Sequence, residues 1–453
     1  MQGLGKVSAK RPKIMRKSDG KLVYACGIAR ISSEEAILLK NALEHKFLQG
    51  PGPSPPDSLG HYCELSNVEL TLAQRDYLGG VFVDLSSTGG ALSALLSDEN
   101  LEEISVIGIG RNKPVHVFDS AFGWMETDLY FSSDDELKRI INSMAGAIGR
   151  RITAQNPRLN ATLPEGSRLN ACISPAAVSG TAITIRKFRE TPWTPPMLAR
   201  TGSVSFAQLA FLWMAIRADC SILVCGNTGS GKTTLLNGLL YFMPQNERII
   251  SVEETPELRV PHKHFVKLST SETAGIEMQG LIVNTLRMRP DRVIVGEVRT
   301  KEEAGAFIDT LLAGQGKGCY ATFHAQSASE AIKRLRNLGA MEQDIACIDL
   351  IITQKRWTSN LGKSAKEHRK VLEISEPDAK EGALGVEKIF CSGTAAGVEK
   401  ISIKGKRCAQ KIAASFGVKE SRLEREINRR AIFLEKNAHL LQEEFLHATS
   451  FFE

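Results

Sequence analysis

SILVCGNTGSGKTTLL, residues 221–236, sets a short apolar run, the spacing Gly226-x-x-x-x-Gly231-Lys232-Thr233 and the opening of a helix in immediate succession. Glycines let successive backbone N–H groups curl around phosphate oxygens without a Cβ clash, and the N-terminus of the following helix adds positive partial charge. The stretch therefore predicts a nucleoside triphosphate held by Gly226, Asn227, Thr228, Gly229, Ser230, Gly231 and Thr234, with Lys232 reaching the terminal phosphates and Thr233 a Mg²⁺ ion. A chance glycine turn would not bring strand, complete motif and apolar helix in the required order. Cys225, in the strand before the loop, reads as a core residue.

Outward from the loop, 453 residues with 42% apolar and 24% charged content suffice for two or three domains with proper cores. Bulk disorder and a fibrous fold are excluded. No apolar stretch approaches the ~20 residues that span a bilayer, and the opening MQGLGKVSAKRPK lacks the apolar core of a secretory signal, so a cytoplasmic location is expected. Nine scattered cysteines without a C-x-x-C pair read as free thiols. The net charge of +6 is concentrated in residues 1–21, where seven basic residues face Asp19 alone. A neutral body argues against direct nucleic-acid binding. The basic tail is either solvated or drawn to an anionic membrane surface or acidic partner.

Five segments are expected. Residues 1–60 read as a basic tail ending in the Pro/Gly/Ser-rich break QGPGPSPPDSLG at 49–60, with one helix-like stretch near 33–47. Residues 61–190 read as a mixed α+β domain: strands across 104–118, a helix over 132–150, then short strands at 159–163, 168–173 and 182–185. Residues 191–204, opening TPWTPP, read as a stiff hinge linker. From Ser205-x-x-Gln208, a capping-box signature, to residue 376, strands and helices alternate, which predicts a mainly parallel sheet covered on both faces. Residues 377–453 are expected as a helical C-terminal extension with Leu423, Ile427, Ile432, Leu434 and Leu440 as its apolar stripe.

Three segments beyond the loop narrow the chemistry. Ser251-Val-Glu253-Glu254-Thr-Pro-Glu257-Leu258 puts carboxylates at the carboxyl end of one strand, where a parallel sheet converges on its ligand. Leu286-Arg-Met-Arg-Pro-Asp-Arg-Val-Ile-Val-Gly296-Glu297-Val-Arg299 puts Glu297 at the tip of another, where a carboxylate can orient an attacking water. Gly318-Cys-Tyr-Ala-Thr-Phe-His324-Ala ends a third strand in a histidine.

This combination resembles the secretion-motor ATPases of type II and type IV systems, in particular the archaeal branch that drives type IV pili and the archaellum. The resemblance runs over roughly residues 100–376, with Walker A at the loop, an aspartate box at VEETPEL, Walker B at RMRPDRVIVGEVR and a histidine box at YATFHA. It implies a RecA-like α/β motor domain in a hexamer, ATP and Mg²⁺ as ligands, and catalytic work by Lys232, Glu297, Glu254 and His324. Thr233 and Glu254 would hold the metal, and His324 would sense the γ-phosphate. LPEGSRLN and TIRKF look like the two upstream segments whose arginines reach bound ATP, which would be Arg168 and Arg186 here. The family's histidine box usually opens with Thr-Gly-His, whereas the matching stretch here is Gln315-Gly316-Lys317. Glu254 stands where the aspartate box commonly carries Asp, and no tetracysteine zinc module is present. The implied function is a motor powering pilus-like filament assembly or secretion at the cytoplasmic membrane face, through a polytopic platform protein. The alternative is a ring ATPase of conjugation-like DNA or protein transfer. A nucleotide-switched scaffold that hardly turns ATP over is a third class, against which Glu297 and Glu254 speak.

Overall fold

The computed structural model describes residues 13–16, 21–26, 32–49, 55–119, 121–188, 192–259, 261–271, 274–313, 317–359, 366–380, 383–392 and 400–452. Residues 1–12, most of the basic tail, and Gln315 and Gly316 lie outside them. The chain divides into two compact units, Met1–Glu190 and Thr191–Glu453.

The first unit is built on an eight-stranded sheet of β1 (Lys13–Arg16), β2 (Leu22–Ala25), β3 (Leu101–Val106), β4 (His116–Asp119), β5 (Gly123–Thr127), β6 (Arg158–Thr162), β7 (Arg168–Cys172) and β8 (Ala182–Arg186). The spatial order is β1-β2-β5-β4-β3-β8-β7-β6, antiparallel throughout except β2 beside β5. Helices α1 (Ser33–Gln49), α2 (Pro55–Leu65) and α3 (Leu72–Ser86) bury Leu39, Leu59, Cys63, Leu78 and Phe82 in a small core of their own. After the short α4 (Ser93–Ser97), α5 (Asp134–Gly146) lays Leu137, Ile140, Ile141 and Met144 into the sheet's core. That spacing is one face of an α-helix.

Two expectations for the first 60 residues are corrected. Lys13–Arg16 and Leu22–Ala25 are strands, and Val23 and Tyr24 are buried in the sheet rather than part of a tail. The proline-rich break holds the start of α2 at Pro55. Proline at the first helical position loses nothing, because the N–H it lacks has no partner in the first turn.

The second unit carries a nine-stranded sheet. Its strands are β9 (Ile222–Gly226), β10 (Ile249–Glu253), β11 (Phe265–Ser269), β12 (Arg292–Val298), β13 (Cys319–Phe323), β14 (Leu350–Ser359), β15 (Lys366–Lys380), β16 (Ala383–Cys391) and β17 (Lys400–Ile401). The order is β11-β10-β12-β13-β9-β14-β15-β16-β17. Pairing is parallel from β11 to β14 and antiparallel beyond. Successive residues of β9 point to opposite faces and are buried on both: Ile222 and Val224 join one core, Leu223 and Cys225 the other. On the first face lie α6 (Pro195–Arg200), α7 (Phe206–Arg217), α8 (Lys232–Leu239), α13 (Arg407–Ser415), α14 (Leu423–Lys436) and α15 (Gln442–Phe452). On the second lie α9 (Met278–Thr285), α10 (Lys301–Leu312), α11 (Ala328–Asn337) and α12 (Glu342–Ile345).

Three more readings change here. The stretch taken as a hinge linker holds α6, with Thr194 before it and Pro195, Pro196 and Leu198 buried. The C-terminal extension is not helical throughout, since residues 377–380 and 383–391 continue the sheet as β15 and β16. Pro377 is tolerated because it pairs with Val386 of β16 alone, beyond the last residue of β15 that pairs with β14. In α14 the buried face is Leu423, Ile427, Arg430 and Leu434, while Ile432 is 53% exposed. At 100° per residue Ile432 lies off that face, and Arg430 stands over the rings of Trp213, Phe416 and Phe452 instead. Among the described residues no single helix is long and apolar enough to cross a membrane. The pair Leu72–Ser86 and Gly90–Ser97, bent by 105°, passes only on combined length and composition.

Candidate functional site

Parallel strands deliver their carboxyl ends to one edge of a sheet, and the ends of β9, β10, β12 and β13, with the chain just after them, supply the glycine-rich loop, Glu254, Glu297 and His324. The Gly226–Thr233 loop joins β9 to α8. Gly229 and Gly231 hold φ of +71° and +92°, which disfavours any side chain. A Cβ on Gly226 would collide with the Gln354 carbonyl and the Ser230 hydroxyl. The loop is pinned from β14, where Asn227 accepts from the Arg356 N–H and donates to its C=O, both at 2.9 Å. The Asn227 side chain is therefore a strut of the loop.

Lys232 is buried, and its ammonium donates to the carbonyls of Gly226 at 3.2 Å and Asn227 at 3.4 Å. It also lies 3.5 Å from His324 Nδ1. The other ring nitrogen, Nε2, is 2.7 Å from Glu297 Oε1. Burial and the Lys232 charge hold the His324 pKa below its usual value, so the neutral ring prevails near pH 7. Its tautomer follows from the partners: Nε2–H donates to Glu297 and the Nδ1 lone pair accepts from Lys232. Arg334 of α11 donates to the His324 carbonyl and holds the strand end in place.

Glu297 is held a second time by Arg299, just past the end of β12, with Nε to Oε2 at 2.6 Å. The same guanidinium pairs with Glu254. Lys232, His324, Glu297, Arg299 and Glu254 thus form one continuous chain of polar contacts from the glycine-rich loop to the tip of β10. The neighbouring Glu253 does different work. It is 2% exposed, and its carboxylate accepts the backbone N–H groups of Glu257 at 2.7 Å and Leu258 at 2.9 Å, so it shapes the turn after β10. Gly296 permits this, because a Cβ there would press on Glu253 Cγ at 3.0 Å.

Thr233 is half-buried and Thr234 exposed at the first turn of α8. Arg168 and Arg186 belong to the first unit, where they stand directly opposite each other on β7 and β8, with Glu103 of β3 opposite Arg186. Like charges in register are unfavourable unless something else uses them. Lys317 lies at the other end of β13 from His324 and meets Glu247 at 3.2 Å.

Sequence reading assigned no role to Arg299, Gln354 or Arg356. For Arg299 the signal was nearness alone: it stands two positions after Glu297 in the same string, just past the end of β12. For the pair on β14 there was none, because nothing local places that strand beside β9.

The fold and the site define an α/β protein with a glycine-rich loop and a cluster of cationic, acidic and imidazole groups at the carboxyl edge of a largely parallel sheet. Residues 99–445 match the type II/IV secretion system protein family, and the chain belongs to it. An uncharacterised protein of Methanocaldococcus jannaschii is 37% identical over 305 residues, which is 64% of this chain and 42% of that protein. The type IV secretion system protein VirB11 of Bartonella quintana is 32% identical over 317 residues, 58% of this chain and 87% of that one. The VirB11 ATPase of Brucella suis, solved with sulphate, is 25% identical and covers 65% of this chain and 96% of that one, at a TM-score of 0.31. The chain spans less than half the length of the two Methanocaldococcus jannaschii relatives it matches.

Proposed function

We propose that this chain is an ATP-hydrolysing motor of a type IV secretion system, with a RecA-like second unit. The observation that carries the reading is the unbroken contact chain from Lys232 through His324 to Glu297, at the edge where the glycine-rich loop opens. Of the expected roles, secretion is favoured over filament assembly by the relatives' names, since the match to VirB11 extends over 87% of that protein. Glu297 orients the attacking water and takes its proton. His324, with Nδ1 on Lys232, reports whether that ammonium lies on the loop carbonyls or on a phosphate.

The residues fit the two ligands. The carbonyls that now hold Lys232 are groups a phosphate oxygen replaces, and the Ser230 hydroxyl is buried beside the loop without a partner among the described residues. Thr233 and Glu254 would hold Mg²⁺, which when bound neutralises charge on the terminal phosphates. Arg168 and Arg186 would add cations from the first unit. The remaining features come from the family resemblance: a homohexamer, attachment at the cytoplasmic face of a membrane through a polytopic protein, and movement of one unit against the other.

Phosphate release by the purified full chain, with and without assembly conditions, tests the proposal. Glu297→Gln is expected to slow turnover about 100-fold or more while ATP still binds. Wild-type turnover in a folded Glu297→Gln protein removes Glu297 from its role. A wild-type chain that binds ATP but releases no phosphate in any oligomeric state reduces the protein to a nucleotide-switched scaffold.

A further inference from the structure

The strand on the far side of the glycine-rich loop from Glu297 and His324 is also part of the site. β14 runs parallel to β9 with Gln354 opposite Gly226, and the side chains of Gln354 and Arg356 lie against the loop glycines. Gln354 is 4% exposed, its amide lies at Gly231, and its Oε1 has no hydrogen-bond partner among the described residues. Two residues on, the Arg356 guanidinium occupies the space where a Cβ on Gly229 would be. Gly229 thus serves two needs: its φ of +71° and the close approach of a cation to the tip of the loop. The guanidinium is poised there by Glu367 of β15, which meets Arg356 Nη2 at 2.5 Å and Arg369 Nη2 at 3.0 Å. Two arginines share this one carboxylate beside the loop.

We infer that Arg356 is a phosphate-binding residue contributed by the same chain as the loop, with Glu367 as the counter-ion that holds it until a polyphosphate arrives. Placement argues for phosphate: the guanidinium sits against the backbone of Gly229, in the segment whose N–H groups face the ligand. A planar guanidinium pairs with phosphate oxygens through two parallel hydrogen bonds, as it does with the carboxylate it now holds. The orphaned oxygens of Gln354 and Ser230, both buried, show that hydrogen-bonding capacity on this side of the loop is unspent. This inference rests on the nucleotide-binding reading of the loop.

Equilibrium titration of the full chain with ADP, ATP and inorganic pyrophosphate, read by a fluorescent nucleotide and its displacement, separates the outcomes. Lys232→Ala serves as the control for the loop itself. Arg356→Gln is expected to weaken all three ligands by roughly 10- to 100-fold, and Arg356→Lys by less. Glu367→Gln is the opposite test: it breaks the same ion pair but removes the carboxylate that competes with phosphate for the guanidinium, so binding should hold or tighten. If Arg356→Gln and Glu367→Gln lose affinity together, Arg356 is a structural tie of the β14–β15 hairpin and the inference fails. If Arg356→Gln weakens nucleotides but not pyrophosphate, the phosphate assignment fails. If Arg356→Gln binds within twofold of wild type while Lys232→Ala does not bind, the inference alone falls. If Lys232→Ala binds normally, the loop reading falls with it.

Discussion

Arg292 is fully buried, yet it keeps its charge because the fold surrounds it with acceptors. Glu247 takes its Nε, Asp219 lies at 2.9 Å from Nη2, and the carbonyls of Ile216 and Lys317 each accept from Nη1 at 3.0 Å. A buried guanidinium costs several kcal/mol to desolvate, so its stability depends on keeping every partner. Glu247→Gln should cost about 2–3 kcal/mol, read as a lower urea midpoint at unchanged slope, since Asp219 remains in place. Adding Arg292→Met should recover part of that loss by removing the uncompensated charge. The same scale shows what single residues reveal in sequence. Lys232, Glu297 and His324 each sit in a recognisable string, and the structure brings them within hydrogen-bonding reach. Arg299 stands two positions after Glu297 and also reaches Glu254, 45 residues away, whereas nothing beside Arg356 marks it, and its place comes from a strand whose Asn227 partner is 129 residues away.

Elements were legible where local chemistry decides them. Ser205 and Gln208 form the capping box expected from their spacing, with Gln208 N–H donating to Ser205 Oγ at 3.0 Å and Ser205 N–H to Gln208 Oε1 at 3.0 Å. Ser205→Ala should therefore cost about 1 kcal/mol in chemical denaturation, and Gln208→Ala should add little on top of it. Prolines misled twice for one reason. Pro55 and the Pro195-Pro196 pair read as breaks, yet each stands in the first turn of a helix, where no N–H is missed. The β14–β15 hairpin stayed hidden because its residues between 350 and 380 mix charged and apolar side chains according to which face each strand shows. That pattern has meaning only once β9 lies alongside.

Across the whole molecule, the second unit closes its own cores: helices from α6 to α15 cover both faces of one sheet. Residues 192–453 should therefore unfold cooperatively when produced alone, and should bind ATP because the Lys232 contact chain lies entirely within them. They should not hydrolyse it at the rate of the full chain if Arg168 and Arg186 act on the phosphates. Differential scanning calorimetry with and without nucleotide, followed by phosphate release, checks both statements. Loss of cooperative unfolding in that fragment would show that the first unit supplies part of its core.

By itself the sequence determined what is local: the glycine-rich loop with its strand and helix, the capping box at Ser205 and Gln208, the carboxylates and histidine at strand ends, and the alternation that makes a parallel sheet. These depend on backbone sterics and on periodicities of two and 3.6 residues, which a short window contains. The tertiary structure decided which carboxylate serves the turn and which faces the loop. It also decided that β1 and β2 complete a sheet some 100 residues away, and that β14 stands beside β9 with its arginine over Gly229. A parallel strand pairs with a partner reached only through a long crossover. Its neighbours therefore leave no trace in the residues next to it.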